Sequence, residues 1–264
     1  MSNTSAHKPA ETIRFQLKEE RLHYILDALR RDGKVVAAEL GVVLGVSEDT
    51  VRRDLRELSR DGKLLRVHGG ALPPSPAPVS FAARHEQSVE AKQRIARAAA
   101  AMIQPGQLVL VDGGTTTQQV GRYLVPELEA TIVTNNVPLA MELAGHPKVE
   151  VILLGGMMFK ESQVTLGEEA IEELRSYRAD LCLLGAGSLH PEFGLRTPDR
   201  DEVFLKRAMI EAAAEVAALV TAEKVGTALP YLVAPVRALT HLVTDAAADA
   251  LEPYRALGVS VMTV

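Results

Sequence analysis

Two stretches hold residues whose types and spacing could do chemistry. In VLVDGGTTTQQV, residues 109–120, an apolar run ends in Asp112, Gly113, Gly114 and the threonines Thr115, Thr116 and Thr117, and the chain then turns helical. A strand end followed by glycines and threonines at a helix start exposes N–H groups and hydroxyls to one point, where an anion such as phosphate is favoured. Glycine there also serves close strand–helix packing, so ligand binding and plain packing both stand for this stretch alone. Three further loops follow apolar runs: Thr134-Asn135-Asn136, Gly155-Gly156 and Gly185-Ala186-Gly187-Ser188. In open parallel sheets such strand ends share one crevice. Asn135 and Asn136 could bond sugar hydroxyls or serve local turns. Arg196 and Lys224 are cations for the same ligand, or ordinary exposed ones. The candidate effector site is therefore Asp112 to Thr117, Asn135, Asn136, Gly155, Gly156, Gly187, Arg196 and Lys224.

The second stretch is SEDTVRRDLRELSRDGKLLRVHGGA, residues 47–71. Ser47 is placed to cap a helix in which Val51, Leu55 and Leu58 form one apolar stripe. The other side carries Asp49, Arg53, Arg56 and Arg60, flanked by Thr50 and Arg52. A solvated helix whose arginines are balanced by Glu48, Asp54 and Glu57 is the alternative reading. After the Asp61-Gly62 turn, KLLRVHGGA alternates as one or two short strands that offer Lys63, Arg66 and His68. Residues early in a major-groove helix reach base edges, so Thr50, Arg52 and Arg53 are the candidates for base readout. Ser47 would face a phosphate, and Arg56, Arg60 and the wing cations would supply salt-dependent backbone contacts. Gly69 and Gly70 either turn the chain or approach DNA.

These stretches need elements to position them. Helices are expected over Lys18–Arg31 and Val36–Leu44, with a tight Gly45-Val46 turn leading to the third. Three such helices and a small basic hairpin make a winged helix-turn-helix head, residues 18–71. Residues 72–80, which include Pro73, Pro74, Pro76 and Pro78, read as a semi-rigid linker, and residues 1–17 as a flexible extension. Beyond it, the apolar runs QLVLV, ATIVT, VEVILL, ADLCLLG, ALTHLVT and VSVMTV alternate with helical segments such as EAKQRIARAAAAMI and EVFLKRAMIEAAAEVA. That alternation implies an α/β domain with a mainly parallel sheet over residues 81–264.

Composition narrows the function. The chain of 264 residues has a formal net charge of −5. Residues 1–70 hold 13 Lys and Arg against 11 Asp and Glu, a net of +2, while the rest hold 16 against 23, a net of −7. A basic front on an acidic body suits a nucleic-acid head. Aromatic residues make up 4% and tryptophan is absent, which argues against a base-stacking or carbohydrate-stacking surface. The lone Cys182 reads as a small buried hydrophobe, and the seven histidines lack metal-ligand spacing, so neither metal nor cofactor is expected. No apolar run approaches the roughly 18 residues of a membrane span and MSNTSAHKPAET lacks a signal core, so the expected location is the cytoplasm.

The run VSEDTVRRDLRELSRDGKLLRVHGGA resembles the signature of the DeoR family of bacterial transcriptional regulators, and ERLHYILDALRRDGKVVAAELGVVLG resembles that family's first two helices. The ordered set EAKQRIARAAAAMIQPG, VDGGTTTQQV, IVTNN, LLGG, LGAGS, the helix around Glu202 to Lys206, and VTD resembles its sugar-phosphate-sensing domain. The resemblance implies a DNA-binding regulator, usually a repressor, that binds duplex operator DNA as a dimer or tetramer and answers to a phosphorylated sugar. That sensor domain is in turn similar in fold to ribose-phosphate isomerases. An isomerase needs carboxylates beside the carbonyl. Here the corresponding run Leu184 to Ser188 carries no aspartate and the isomerase glutamate falls at Lys206, so the pocket is expected to sense and not catalyse. A purely structural DNA-bridging protein would not explain the polar strand-end loops. Thr221-Ala222-Glu223-Lys224 departs from the family's Asp-x-Ser-Lys, and RTPDRDEV adds a proline and charges near the expected pocket mouth, which could favour a bulkier or differently charged effector.

Overall fold

The structure, a computed structural model, describes residues 17–76 and 80–264, and the chain divides into two compact units between Pro74 and Ser75. Of the expected N-terminal extension only Leu17 is described, and Pro78 of the expected linker also lies outside the described residues.

The first unit comprises α1 (Lys18–Asp32), β1 (Val35–Val36), α2 (Ala37–Leu44), α3 (Glu48–Arg60), β2 (Leu65–Val67) and β3 (Gly70–Leu72). The stripe Val51, Leu55 and Leu58 of α3 is fully buried against Ile25, Leu29, Leu40 and Leu44. Strands β2 and β3 form the antiparallel wing. The sequence places Val36 in the second helix; it pairs instead in β1, which adds to β3 to give the order β1-β3-β2. That approach explains Gly70: a Cβ there would collide with the Val35 carbonyl. Leu72, assigned to the linker from sequence, ends β3 and is buried. Asp54, read as a surface acid, is buried as well, and takes a two-pronged bond from Arg21, Nε at 2.5 Å and Nη2 at 3.0 Å. This charge-assisted fork ties α1 to α3.

The second unit comprises α4 (Phe81–Glu86), α5 (Val89–Ala100), β4 (Leu108–Val111), β5 (Thr131–Thr134), α6 (Val137–Leu143), β6 (Glu150–Leu153), β7 (Met157–Phe159), β8 (Val164–Leu166), α7 (Glu168–Arg175), β9 (Ala179–Gly185), β10 (Ser188–His190), β11 (Gly194–Thr197), α8 (Arg200–Ala212), β12 (Ala213–Val220), β13 (Tyr231–Ala234), β14 (His241–Thr244), α9 (Ala248–Ala256) and β15 (Ser260–Thr263). Seven strands form one parallel sheet in the order β15-β14-β12-β9-β4-β5-β6. Strand β9 shows why its sequence is apolar from Leu181 to Leu184: Cys182 and Leu184 enter the core on one face, Leu181 and Leu183 the core on the other.

Three features depart from the sequence reading. The segment EVFLKRAMIEAAAEVA reads as helix as far as Ala217, yet from Ala213 the chain is strand β12, between β9 and β14. A second sheet, β10-β11-β13, is antiparallel, and β7 and β8 make a hairpin of their own. Ser75, assigned to the linker, is buried in this unit and donates to the Gly187 carbonyl at 2.6 Å. No helix among the described residues is long and apolar enough to cross a membrane.

Candidate effector pocket and nucleic-acid interface

In the first unit, Ser47 caps α3, its Oγ accepting from the Thr50 N–H at 3.2 Å and lying 2.9 Å from the Thr50 hydroxyl. Arg52 pairs with Glu48 at 2.6 Å and Arg53 with Asp49 at 2.5 Å, both one helical turn apart and exposed. Exposed pairs of this kind contribute at most about 1 kcal/mol, so the guanidinium groups can exchange partners. A shallow cleft between α3 and the wing is lined by Arg52, Arg56, Arg66 and His68. The fold thus gathers four of the nine sequence candidates onto one surface. Lys63 lies outside this cleft, 3.6 Å from Asp61.

In the second unit, a pocket of about 70 Å3 opens where the chain order reverses between β4 and β9. Such switch points are the usual crevice of open parallel sheets. Of the candidates, Asp112 to Thr117, Asn135, Gly187 and Lys224 line it. Among the described residues no hydrogen bond is donated by the backbone N–H groups of Gly113 through Thr117. Buried backbone donors are nearly always paired, so these free N–H groups, three of them on the buried Thr115, Thr116 and Thr117, set the loop apart from the rest of the core. The helix expected after the threonines is a six-residue 3-10 segment, Gln118–Tyr123, so an α-helix terminus adds nothing to the loop donors here.

Around that loop stand cations from distant parts of the chain. Lys224 donates to the Ala186 carbonyl at 3.2 Å and has no carboxylate within ion-pair distance among the described residues. Loss of solvation in the pocket, then repulsion from Lys92, lower it to about 8 against the pull of Glu223. Arg84, from α4, donates to Ser162 Oγ at 3.2 Å and is lowered by burial, with Glu202 opposing. Lys92 holds the carbonyls of Arg84 and, at 2.6 Å, Gln87, and burial lowers it to about 8 as well. Lys206, on α8, pairs with Asp112 and donates to the Gly185 carbonyl at 3.2 Å.

Several site assignments are corrected. Asp112 lines the pocket but is committed: its Oδ2 takes both Lys206 and, at 2.9 Å, the Gly185 N–H. Asn136 lies outside the lining; its Oδ1 caps α6 and its Nδ2 donates to the Gly114 carbonyl at 3.2 Å, bracing the loop. Gly155 and Gly156 are exposed where the chain enters the β7–β8 hairpin, and a Cβ on Gly156 would strike the Leu166 carbonyl. Arg196 is spent on the carbonyls of Phe193, Leu229 and Pro230, each at 2.9 Å. In RTPDRDEV, Asp199 caps α8 and Glu202 enters the pocket. The sequence places the charges of RTPDRDEV near the pocket mouth without singling out Glu202 as a site residue, and it gives no role to Arg84 or Ser162. The i,i+4 spacing of Glu202 and Lys206 on an amphipathic helix was the one available signal; Arg84 offered none.

Comparisons with known proteins follow this geometry. The DeoR-like helix-turn-helix domain family matches residues 21–77, and the DeoR C terminal sensor domain family matches residues 87–246. The chain is 34% identical over 230 residues to the HTH-type transcriptional repressor GlcR of Bacillus subtilis (strain 168), covering 86% of this chain and 88% of that one. It is 31% identical over 271 residues to the putative aga operon transcriptional repressor of Escherichia coli O157:H7, covering 100% and 99%. A ribose 5-phosphate isomerase A structure from Methanocaldococcus jannaschii aligns over 52% of this chain and 55% of its own, at 15% identity and a TM-score of 0.39. The chain belongs to the DeoR family of DNA-binding transcriptional regulators, with a helix-turn-helix head and a sensor domain.

Proposed function

We propose that the protein is a repressor that leaves its operator when a phosphorylated sugar occupies the pocket at β4 and β9. The observation that carries this reading is the loop of undonated N–H groups from Gly113 to Thr117, faced by Lys224 and Arg84. Oriented donors beside cations favour a dianion, and a neutral sugar would leave them without a charged partner. The repressors GlcR and the aga operon regulator support the direction of control. Sensing without catalysis fits a pocket whose carboxylates are both engaged, Asp112 by Lys206 and Glu202 by the hydroxyls of Thr197 at 2.8 Å and Ser162 at 3.0 Å. A two-fold operator calls for at least a dimer.

The test is binding of the full chain to a duplex it selects from a random pool, titrated with phosphorylated sugars and their free counterparts. Phosphorylated compounds release DNA and free sugars do not; release by a free sugar at comparable concentration, or rapid turnover of ribose 5-phosphate, defeats the reading. The pH dependence has a definite sign. Desolvation lowers Lys224 to about 8, and a bound anion favours its ammonium form, so binding takes up a proton. Effector affinity is greatest below pH 8 and falls as pH rises to 9, and Lys224→Met removes most of that slope and weakens binding about tenfold or more. A flat profile between pH 7 and 9 removes Lys224 from the site.

In the head, Arg53→Ala is expected to cost about 1–3 kcal/mol on the selected duplex and to relax base preference. Lys63→Ala instead weakens selected and random duplexes alike and lowers the salt slope by about one unit. Titrations at several salt concentrations check both, and wild-type affinity in Arg53→Ala refutes its role in base readout.

A further inference from the structure

The pocket is not cationic all round, and its other wall constrains the ligand further. Asn135 is 2% exposed, and its Nδ2 donates to the Thr165 carbonyl at 3.2 Å, which fixes the amide so that Oδ1 is the remaining atom. That Oδ1 has no hydrogen-bond partner and lies beside Gly113, and Asn135 is among the residues that line the pocket. A buried acceptor left unmade costs about 1–3 kcal/mol, which a ligand donor would recover. Glu202, from α8, lies on the same pocket. Its two oxygens each accept one hydroxyl, from Ser162 and Thr197, leaving about two of the roughly four acceptor positions of a carboxylate. Lys224 stands apart from it, on the carbonyl of Ala186. The pocket therefore offers acceptors, one of them charged, as well as donors and cations.

Resting on the phosphorylated-effector reading above, we infer that Glu202, with Asn135, sets the class of effector: a singly phosphorylated polyhydroxyl compound, whose hydroxyl end donates to these two side chains, while a second anionic group is rejected. The physical reason is asymmetry of cost. A hydroxyl satisfies both acceptors, whereas a carboxylate or second phosphate can donate to neither and is repelled by Glu202. The lining has too little positive charge to offset it: Lys206 is already matched by Asp112, and Arg84 lies within the field of Glu202.

The experiment is calorimetric titration of the full-length protein with matched pairs on three skeletons: glycerol 3-phosphate against 3-phosphoglycerate, glucose 6-phosphate against 6-phosphogluconate, and fructose 6-phosphate against fructose 1,6-bisphosphate, with inorganic phosphate alongside. On any skeleton that binds, the member with one anionic group is expected to bind about tenfold or more tightly than its partner, the scale of a like-charge contact in a partly solvated site. In Glu202→Gln the gap closes about tenfold, chiefly because the member with two anionic groups binds better, whereas a purely structural role would weaken both members equally. Equal binding within the pairs by the wild type, or an unchanged gap in a folded Glu202→Gln, overturns the inference while leaving a phosphate site intact. So does binding of inorganic phosphate as tight as that of every sugar phosphate. Silence across the whole panel, phosphate included, defeats the phosphorylated-effector reading itself and this inference with it.

Discussion

Lys206→Met is expected to destabilise the sensor domain by about 3–5 kcal/mol, the cost of leaving a buried charge without its partner. The Asp112 and Lys206 side chains are 2% and 6% exposed. Burial pushes Asp112 up and the Lys206 charge offsets only part of this. Burial alone would lower Lys206, but Asp112 and Glu202 outweigh it and hold the ammonium up. The carboxylate has one further bond, from the Gly185 N–H, so in the variant it must either ionise unpaired or protonate. Urea unfolding of the two proteins measures the difference. The double variant Asp112→Asn with Lys206→Met is expected to recover much of the loss, because replacing a buried pair by neutral groups is often nearly harmless while breaking it is not. A single variant within about 1 kcal/mol of wild type would mean that water reaches the pair and that α8 is not anchored through it.

Gly114→Val is expected to abolish the response to effector, with affinity lowered about 100-fold, the equivalent of two lost hydrogen bonds to a charged group. Gly114 has φ +133°, which L residues rarely adopt and a β-branched residue adopts at severe cost. Its added Cβ would also lie 3.4 Å from Thr117 Oγ1, which bonds the Gly114 carbonyl at 3.0 Å. Relief of that strain must turn the peptide groups on either side, and those carry the undonated N–H groups. Anisotropy titrations of a labelled operator with and without effector would read the loss, alongside thermal unfolding to establish that the domain is folded. A folded variant that still releases DNA would place the effector outside this loop.

The sequence by itself determined the local patterns. The apolar stripe of α3, its Ser47 cap and the two-stranded wing follow from neighbours within a few residues, and so does the run of buried parallel strands punctuated by VDGG, TNN and GAG. The anion loop was legible for the same reason, because Gly113 to Thr117 supply their donors from consecutive backbone positions. What the tertiary structure alone decided were the pairings between distant positions. The alanine-rich run Ala213–Val220 has helical propensity and reads as a continuation of α8, yet burial between β9 and β14 makes it β12, and its far end delivers Lys224 to the pocket. Asp54 reads as one more surface acid until Arg21, 33 residues away, is folded against it. Asp112 reads as a ligand for the effector until Lys206, 94 residues on, claims its carboxylate. Arg84 carries no motif, and Glu202, though it lies in a helix the sequence marks, becomes part of a site only through the side chains it meets at Ser162 and Thr197. Spacing along the chain encodes contacts within a turn or a strand; a charge whose partner lies across the sheet is assigned only once the sheet is built.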